Sequence, residues 1–337
     1  MKPTAGQQSM EPLATGSPGT PSRQRAIGGF AIRAAIGLLL AGFILWRYGR
    51  GSIGRALRDE NPSYFWSAVL VFVAGQVMSA YRWQIVARLV GLGGRFKEYF
   101  SFYFVGMFTN LFVPGLIGGD AARAFYLARR NRHVPLGLAR AAASVMADRL
   151  LGLAALFWLA AISAVILGRG ILTREVALPI LIVGAVSTAG YLTLPLIARG
   201  VDYLPSRIAE LARVMVPSMQ RPQTLLPALS LSIVLQVSLV FCQYLISLGL
   251  GLKIPLAVFF LCVPLSNFFA SIPITLNGLG LREGSYVFLF KMAGVESTEA
   301  VALGLLYFSA TMVGSLTGIV GLLMARASEG QGISSAP

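Results

Sequence analysis

The chain has 337 residues, is 56% hydrophobic and carries charge on only 12% of its positions. Soluble domains are about a quarter charged, so this composition excludes an ordinary soluble enzyme and leaves no stretch for a second, water-soluble domain. The formal net charge is +15, but the arginines flank apolar runs, which fits the positive-inside bias and anionic lipid headgroups and excludes nucleic acid as a partner.

In chain order, residues 1–29 are rich in Pro, Gly, Ser, Thr and Gln. They are expected to form a disordered cytoplasmic tail, because they hold too little apolar surface to offset ordering entropy. No cleavable signal peptide is expected, since the first apolar run starts near Phe30 and lacks a small-residue cleavage site. Residues 30–326 read as one membrane domain, followed by a short cytoplasmic tail, 327–337. A bilayer core takes about 20 helical residues. Six stretches qualify: 30–48, 63–81, 141–167, 176–198, 225–250 and 300–325. Two further apolar regions, 98–130 and 254–293, are broken in the middle by Pro and Gly. Tyr81, Arg82 and Trp83, closing the second span, read as an interfacial belt.

Loop charges set the expected topology. Arg82, Arg88, Arg95 and Lys97 precede the first broken region, and Arg129, Arg130, Arg132 and Arg140 follow it. Arg199, Arg207, Arg213 and Arg221 separate the fourth and fifth spans. Placing all of these in the cytoplasm makes the first broken region enter and leave from inside, and the second from outside. The expected fold is all-α and polytopic, with six full transmembrane helices and two re-entrant helical hairpins. Half one (30–168) and half two (176–326) form an inverted-topology repeat, a plan of secondary transporters, with both termini cytoplasmic. The loop 47–61 conflicts with this scheme, because it falls outside yet carries Arg47, Arg50, Arg55 and Arg58.

The two breaks share a pattern. Pro114 precedes Arg123 by nine residues, with Gly118, Gly119 and Asp120 between, and Pro273 precedes Arg282 by nine, with Asn277, Gly278 and Gly280 between and Glu283 and Gly284 following. Proline removes a backbone donor and glycine permits the turn. Unpaired backbone at membrane depth persists only where it is buried in protein or lines a wet cavity. Half-helix N-termini facing such a cavity favour an anion. Asp120 and Arg123 share a helix face, Asp148 and Arg149 lie in the third span, and Arg282 adjoins Glu283. Arginine forks match phosphate. The expectation is that Arg123, Arg149 and Arg282 contact an anionic headgroup while Asp120, Asp148 and Glu283 orient or release them. A purely structural ion-pair network is the competing reading.

Other motifs are weaker. Gly278, Gly280 and Gly284 do not form a dinucleotide fingerprint, for they follow no amphipathic strand. Gly314 and Gly318 are spaced to bring two helices close. The aromatic run from Tyr99 to Phe112 reads chiefly as packing. Cys242 and Cys262 are small core residues and His133 is the only histidine, so neither a metal site nor a cofactor is expected.

The residues 110–123, the run Ala147-Asp148-Arg149-Leu150 and the Gly-Leu-Gly-Leu-Arg-Glu-Gly core at 278–284 resemble the membrane domain of bacterial lysylphosphatidylglycerol synthase/flippase proteins. The resemblance covers about 31–326. It implies translocation of a phospholipid or lipid-linked substrate across a bacterial inner membrane, and a lipid- or glycan-synthesising enzyme as a partner. It does not imply lysyl transfer, which in the full-length synthases belongs to a separate soluble domain. Members often carry Glu-Arg where this chain has Asp148-Arg149, which keeps the charge and shortens the reach. Two other readings stand beside it. One is a membrane-embedded transferase using Asp120, Asp148 or Glu283 as base; the other is an accessory subunit of a lipid or glycan synthase. The oligomeric state is open.

Overall fold

Nine helices can be followed in the computed structural model, which describes residues 61–112, 117–167, 173–193, 222–271 and 280–324 with single positions between 200 and 213. The expectations for residues 1–60, Pro114, Pro273, Asn277, Gly278 and 325–337 lie outside the described residues. The helices are α1 (Pro62–Leu89), α2 (Phe96–Phe112), α3 (Ile117–Arg130), α4 (Gly137–Leu167), α5 (Arg174–Leu192), α6 (Pro222–Gly249), α7 (Leu256–Ser271), α8 (Leu281–Met292) and α9 (Ser297–Leu316). No strand occurs among the described residues. Helix α1 shows why the boundaries fall where they do. Asn61 accepts the Ser63 N–H at 3.0 Å as its N-cap, Pro62 takes the first helical position, and Gly91, at φ 75°, turns the chain out.

Four helices are long and apolar enough to cross a membrane: Pro62–Leu89, Gly137–Leu167, Leu225–Gly249 and Ser297–Met324. They match the second, third, fifth and sixth expected spans. The fourth appears as α5, whose apolar stretch is the shorter Ala177–Gly190. Leu70, Trp66, Ile166, Val186 and Leu323 stand exposed on the outer surface. Such a surface suits lipid, where association rests on close packing rather than on hydrophobic burial.

Each broken region is a pair of helices packed on each other, α2 with α3 and α7 with α8. The first pair meets backbone to backbone. A Cβ on Gly106 would lie 2.7 Å from the Gly119 carbonyl oxygen, so a side chain at either position would force the helices apart. Gly314 and Gly318 also act as their spacing suggested. Gly314 of α9 lies against Phe72 of α1, and Gly318 lies against Phe104 and Phe108 of α2.

The two sets of helices repeat at constant spacing. Pro62 and Pro222, Phe96 and Leu256, and Gly137 and Ser297 start equivalent helices, each pair 160 positions apart. The turn glycines Gly91 and Gly251 have φ of 75° and 70° and keep the same spacing. So do the bonds closing these turns, Leu92 N–H to Ala87 O and Leu252 N–H to Ser247 O. Packing follows suit. Exchanging α1–α4 with α6–α9 turns α1·α9 into α6·α4, α4·α7 into α9·α2 and α1·α4 into α6·α9, and all of these pairs are in contact. The most extensive contact, α1 on α6, maps onto itself.

The belt reading of Arg82 and Trp83 is corrected. Tyr81 is exposed, but Arg82 and Trp83 are buried, because α1 runs on to Leu89 and turns this face toward α4. Trp83 donates its indole N–H to Ser144 Oγ at 3.1 Å and meets Tyr99 edge to face.

Candidate functional site

A polar stripe on α1 begins the site. Gln76, Ser79 and Arg82 recur every three residues on a largely apolar helix and so share one face. That face lines a cavity of about 590 Å³, bounded also by α2, α3, α4 and α6. The volume falls within the usual range for small-ligand sites, roughly 300–1,000 Å³.

One wall is ionic. Arg82 Nε donates to Asp148 Oδ1 at 2.8 Å, and Arg123 Nη1 donates to Asp148 Oδ2 at 3.1 Å. Arg123 Nε reaches Asp120 Oδ1 at 3.0 Å, and Arg149 Nε donates to Asp120 Oδ2. The result is a chain, Arg82–Asp148–Arg123–Asp120–Arg149, drawn from α1, α3 and α4. Among the described residues of this wall, three guanidiniums face two carboxylates, a formal excess of one positive charge. The Arg123 guanidinium also lies 5.2 Å from the ring centres of both Trp83 and Tyr103. Burial grades along the chain. Asp148 is 2% exposed and Arg82 6%, whereas the Arg149 side chain is 33% exposed. The inner members are fixed structure and the outer arginine stands at the mouth.

Local packing holds this wall in place. Arg82 Nη1 donates to Ser232 Oγ on α6 at 3.0 Å. The Arg82 guanidinium lies beside Gly152 of α4, whose carbonyl accepts from Gln236 Nε2 at 3.0 Å. Near the hairpin break, Gly119 N–H donates to Asn110 Oδ1 at 2.8 Å, which ties the first turn of α3 to α2. Gly119 and Asp120 both line the cavity, so the positive end of α3 adds to its potential.

The rest of the lining is largely apolar, with Met107, Met146, Leu150, Leu153, Leu156, Leu235 and Leu239. Met146 and Leu150 are 58% and 55% exposed, so this part of the lining is open. Across the cavity, Gln76 of α1 stands with its repeat counterpart Gln236 of α6, and Ser79 with Leu239. The cavity therefore sits at the junction of the two repeats.

Of the residues expected from sequence, Asp120, Arg123, Asp148 and Arg149 converge here and Gly119 lines the cavity, while Gly118 is the second residue of α3, just before it. Arg282 and Glu283 do not line it. They lie in half two, where Arg282 stands 5.1 Å over Tyr307 and Glu283 Oε2 accepts the Gly280 N–H at 2.6 Å. Gly280 has φ 83° and caps α8, and Gly284 is exposed on that helix. Arg82 was missed; the three-residue polar stripe ending on it was the available signal. The proline spacing pairs Arg123 with Arg282, but the 160-position register pairs Arg123 with Glu283. Among the described residues, no group of three or more His, Cys, Asp or Glu is placed to hold a metal.

A UPF0104 membrane protein of Methanothermobacter thermautotrophicus is 25% identical over 300 residues, which cover 81% of this chain and 88% of that protein. A UPF0104 membrane protein of Methanocaldococcus jannaschii is 32% identical over 92 residues, 27% of each chain. No solved structure matches. Residues 30–318 match the family described as the lysylphosphatidylglycerol synthase TM region, and with apolar spans and helical fold in agreement, the chain is a multi-pass membrane protein belonging to that family.

Proposed function

We propose that this protein binds an anionic lipid or lipid-linked headgroup in the cavity between its two repeats and carries it across the membrane. The observation that carries the reading is the cavity's mixed chemistry. Three guanidiniums and two carboxylates share the cavity with methionine and leucine side chains, of which Met146 and Leu150 are exposed. An amphipathic ligand satisfies both kinds of lining. Its phosphate takes the outer guanidinium of Arg149 and the N-terminus of α3, while its chains leave past Met146 and Leu150 into the bilayer. A soluble anion gains nothing from the apolar side chains.

The full topology belongs to the same reading: six spans and two re-entrant hairpins, with opposite insertion of the halves in a bacterial inner membrane and both termini cytoplasmic. Opposite insertion makes the repeat junction the natural place for a site that serves both sides in turn. Movement then follows rocking of one repeat against the other. The reading assigns this chain no catalytic step.

The test is lipid translocation in vesicles. Purified protein is reconstituted with headgroup-labelled anionic or uncharged lipid, and transfer between leaflets is followed by chemical quenching. Faster transfer of the anionic lipid, reduced in Arg149→Ala, is expected. Equal rates for protein-free, wild-type and Arg149→Ala vesicles would overturn the reading.

A further inference from the structure

Half two buries polar atoms that find no hydrogen bond: Ser266 Oγ, Asn267 Nδ2 and Glu283 Oε1. Ser266 is 0% exposed and Glu283 is 1% exposed. Unsatisfied polar groups at such depth are costly and persist where another state of the protein, a ligand or water supplies the partner.

The repeat register gives these positions a meaning. Ser266, Asn267 and Glu283 lie 160 positions after Gly106, Met107 and Arg123, all three of which line the open cavity of half one. The register holds at both ends of the hairpin. The α2 and α7 helices start in step before it, and α4 and α9 start in step after it. The orphaned atoms thus sit at positions of half two that correspond, by this spacing, to cavity-lining positions of half one. Around Glu283, α9 contributes Gly304 and Tyr307, α6 contributes Cys242 and Gln243, and α8 contributes Arg282 and Tyr286.

We infer that half two holds a closed counterpart of the cavity, lined by Ser266, Asn267 and Glu283, which opens toward the other side of the membrane when the repeats exchange conformations and there receives the uncharged, hydroxyl-bearing part of a headgroup. The inference rests on the reading of the first cavity as a headgroup site. The chemistry of the two walls differs. Arg82, Asp148 and Arg149 of half one correspond by register to Cys242, Phe308 and Ser309, so the ionic chain is not repeated. What replaces it is the adjacent Arg282 and Glu283, whose formal charges offset each other, beside the Asn267 amide and the Ser266 hydroxyl. Hydroxyl groups donate and accept at once and match such a set. One oxygen of Glu283 is already held by the α8 cap, leaving the other for a donor.

Single cysteines test this in a chain carrying Cys242→Ser and Cys262→Ser. Met107→Cys and Asn267→Cys proteins are reconstituted separately and treated with a membrane-impermeant maleimide from either side. Labelling of Met107→Cys from one side and Asn267→Cys from the other is expected. Phosphatidic acid should lower Met107→Cys labelling severalfold, and an uncharged glucosyl diacylglycerol should do so for Asn267→Cys. If Asn267→Cys labels from neither side, or from the same side as Met107→Cys, the second cavity is refuted. Protection of Asn267→Cys by phosphatidic acid alone, or by neither lipid, refutes its ligand class. Should Asn267→Cys fail to fold, Ser266→Cys gives the same reading one position away. If Met107→Cys is protected by no lipid, the headgroup reading of the first cavity fails instead, and the opposite sidedness of Asn267→Cys still decides whether the second cavity exists.

Discussion

Arg82 and Asp148, 66 positions apart, form the innermost ion pair of the cavity wall, with Nε donating to Oδ1 at 2.8 Å. Asp148 lies eleven residues into α4, roughly 17 Å along the helix at 1.5 Å per residue. Both partners are almost wholly buried. At such a place a pair is weak evidence of net stabilisation, but removing one partner strands the other. Asp148→Asn should therefore destabilise the protein by about 3–5 kcal/mol, because Arg82 loses its charge partner and Arg123 loses one of its two. Arg82→Met should cost less, since Arg123 still neutralises Asp148. The midpoints of thermal unfolding in detergent measure the order. A larger loss in Arg82→Met than in Asp148→Asn contradicts it.

Arg149 is the counter-case. It shares Asp120 with Arg123, but its side chain is one-third exposed at the mouth. Partly exposed pairs contribute at most about 1 kcal/mol, so Arg149→Gln should unfold within a few degrees of wild type. Its affinity for anionic lipid should fall about tenfold, the loss of one charge-assisted contact at roughly 1.4 kcal/mol per decade. Binding of a fluorescent anionic lipid at two ionic strengths reads this out. An affinity equal to wild type would remove Arg149 from the site.

The contact of Gly106 with Gly119 predicts a purely steric effect. A methyl group at 106 would sit 2.7 Å from the Gly119 carbonyl oxygen, which is backbone and cannot rotate away. Gly106→Ala should cost about 1–3 kcal/mol and shift Asn110 from Gly119, which widens the ionic end of the cavity. Gly190→Ala is the control, because nothing lies within 4 Å of the added carbon. A Gly106→Ala protein as stable as Gly190→Ala would show that the hairpin opens at no cost.

Composition made the membrane class, four of the spans and the two broken regions legible, because each rests on long apolar runs or on their interruption by Pro and Gly. The ionic chain was half legible. Asp120 pairs with Arg123 three residues on, and Asp148 and Arg149, adjacent in sequence, join the same chain through other partners. Arg82 pairs across 66 positions and was hidden by its neighbours Tyr81 and Trp83, which imitate an interfacial belt. Arg282 was grouped with Arg123 by a proline spacing of nine, yet the helix starts keep a spacing of 160. A one-residue slip on a helix turns a side chain by about 100°. That slip exchanges Arg282 for Glu283 as the counterpart of Arg123.

The exposed rim of the cavity gives a last prediction. Met146 and Leu150 are on one face of α4, four residues apart, and form the exposed part of the apolar lining. If acyl chains leave by this gap, bulk there should slow transport without touching the ionic wall. Leu150→Trp adds an indole at an exposed position, where aromatic residues are tolerated, so unfolding should change little. Translocation should fall severalfold for a two-chain anionic lipid, while binding of a short-chain analogue with the same headgroup stays near wild type. The contrast between the two ligands is the measurement. Equal losses would place the defect at the headgroup, and no loss for either would move the exit path away from α4.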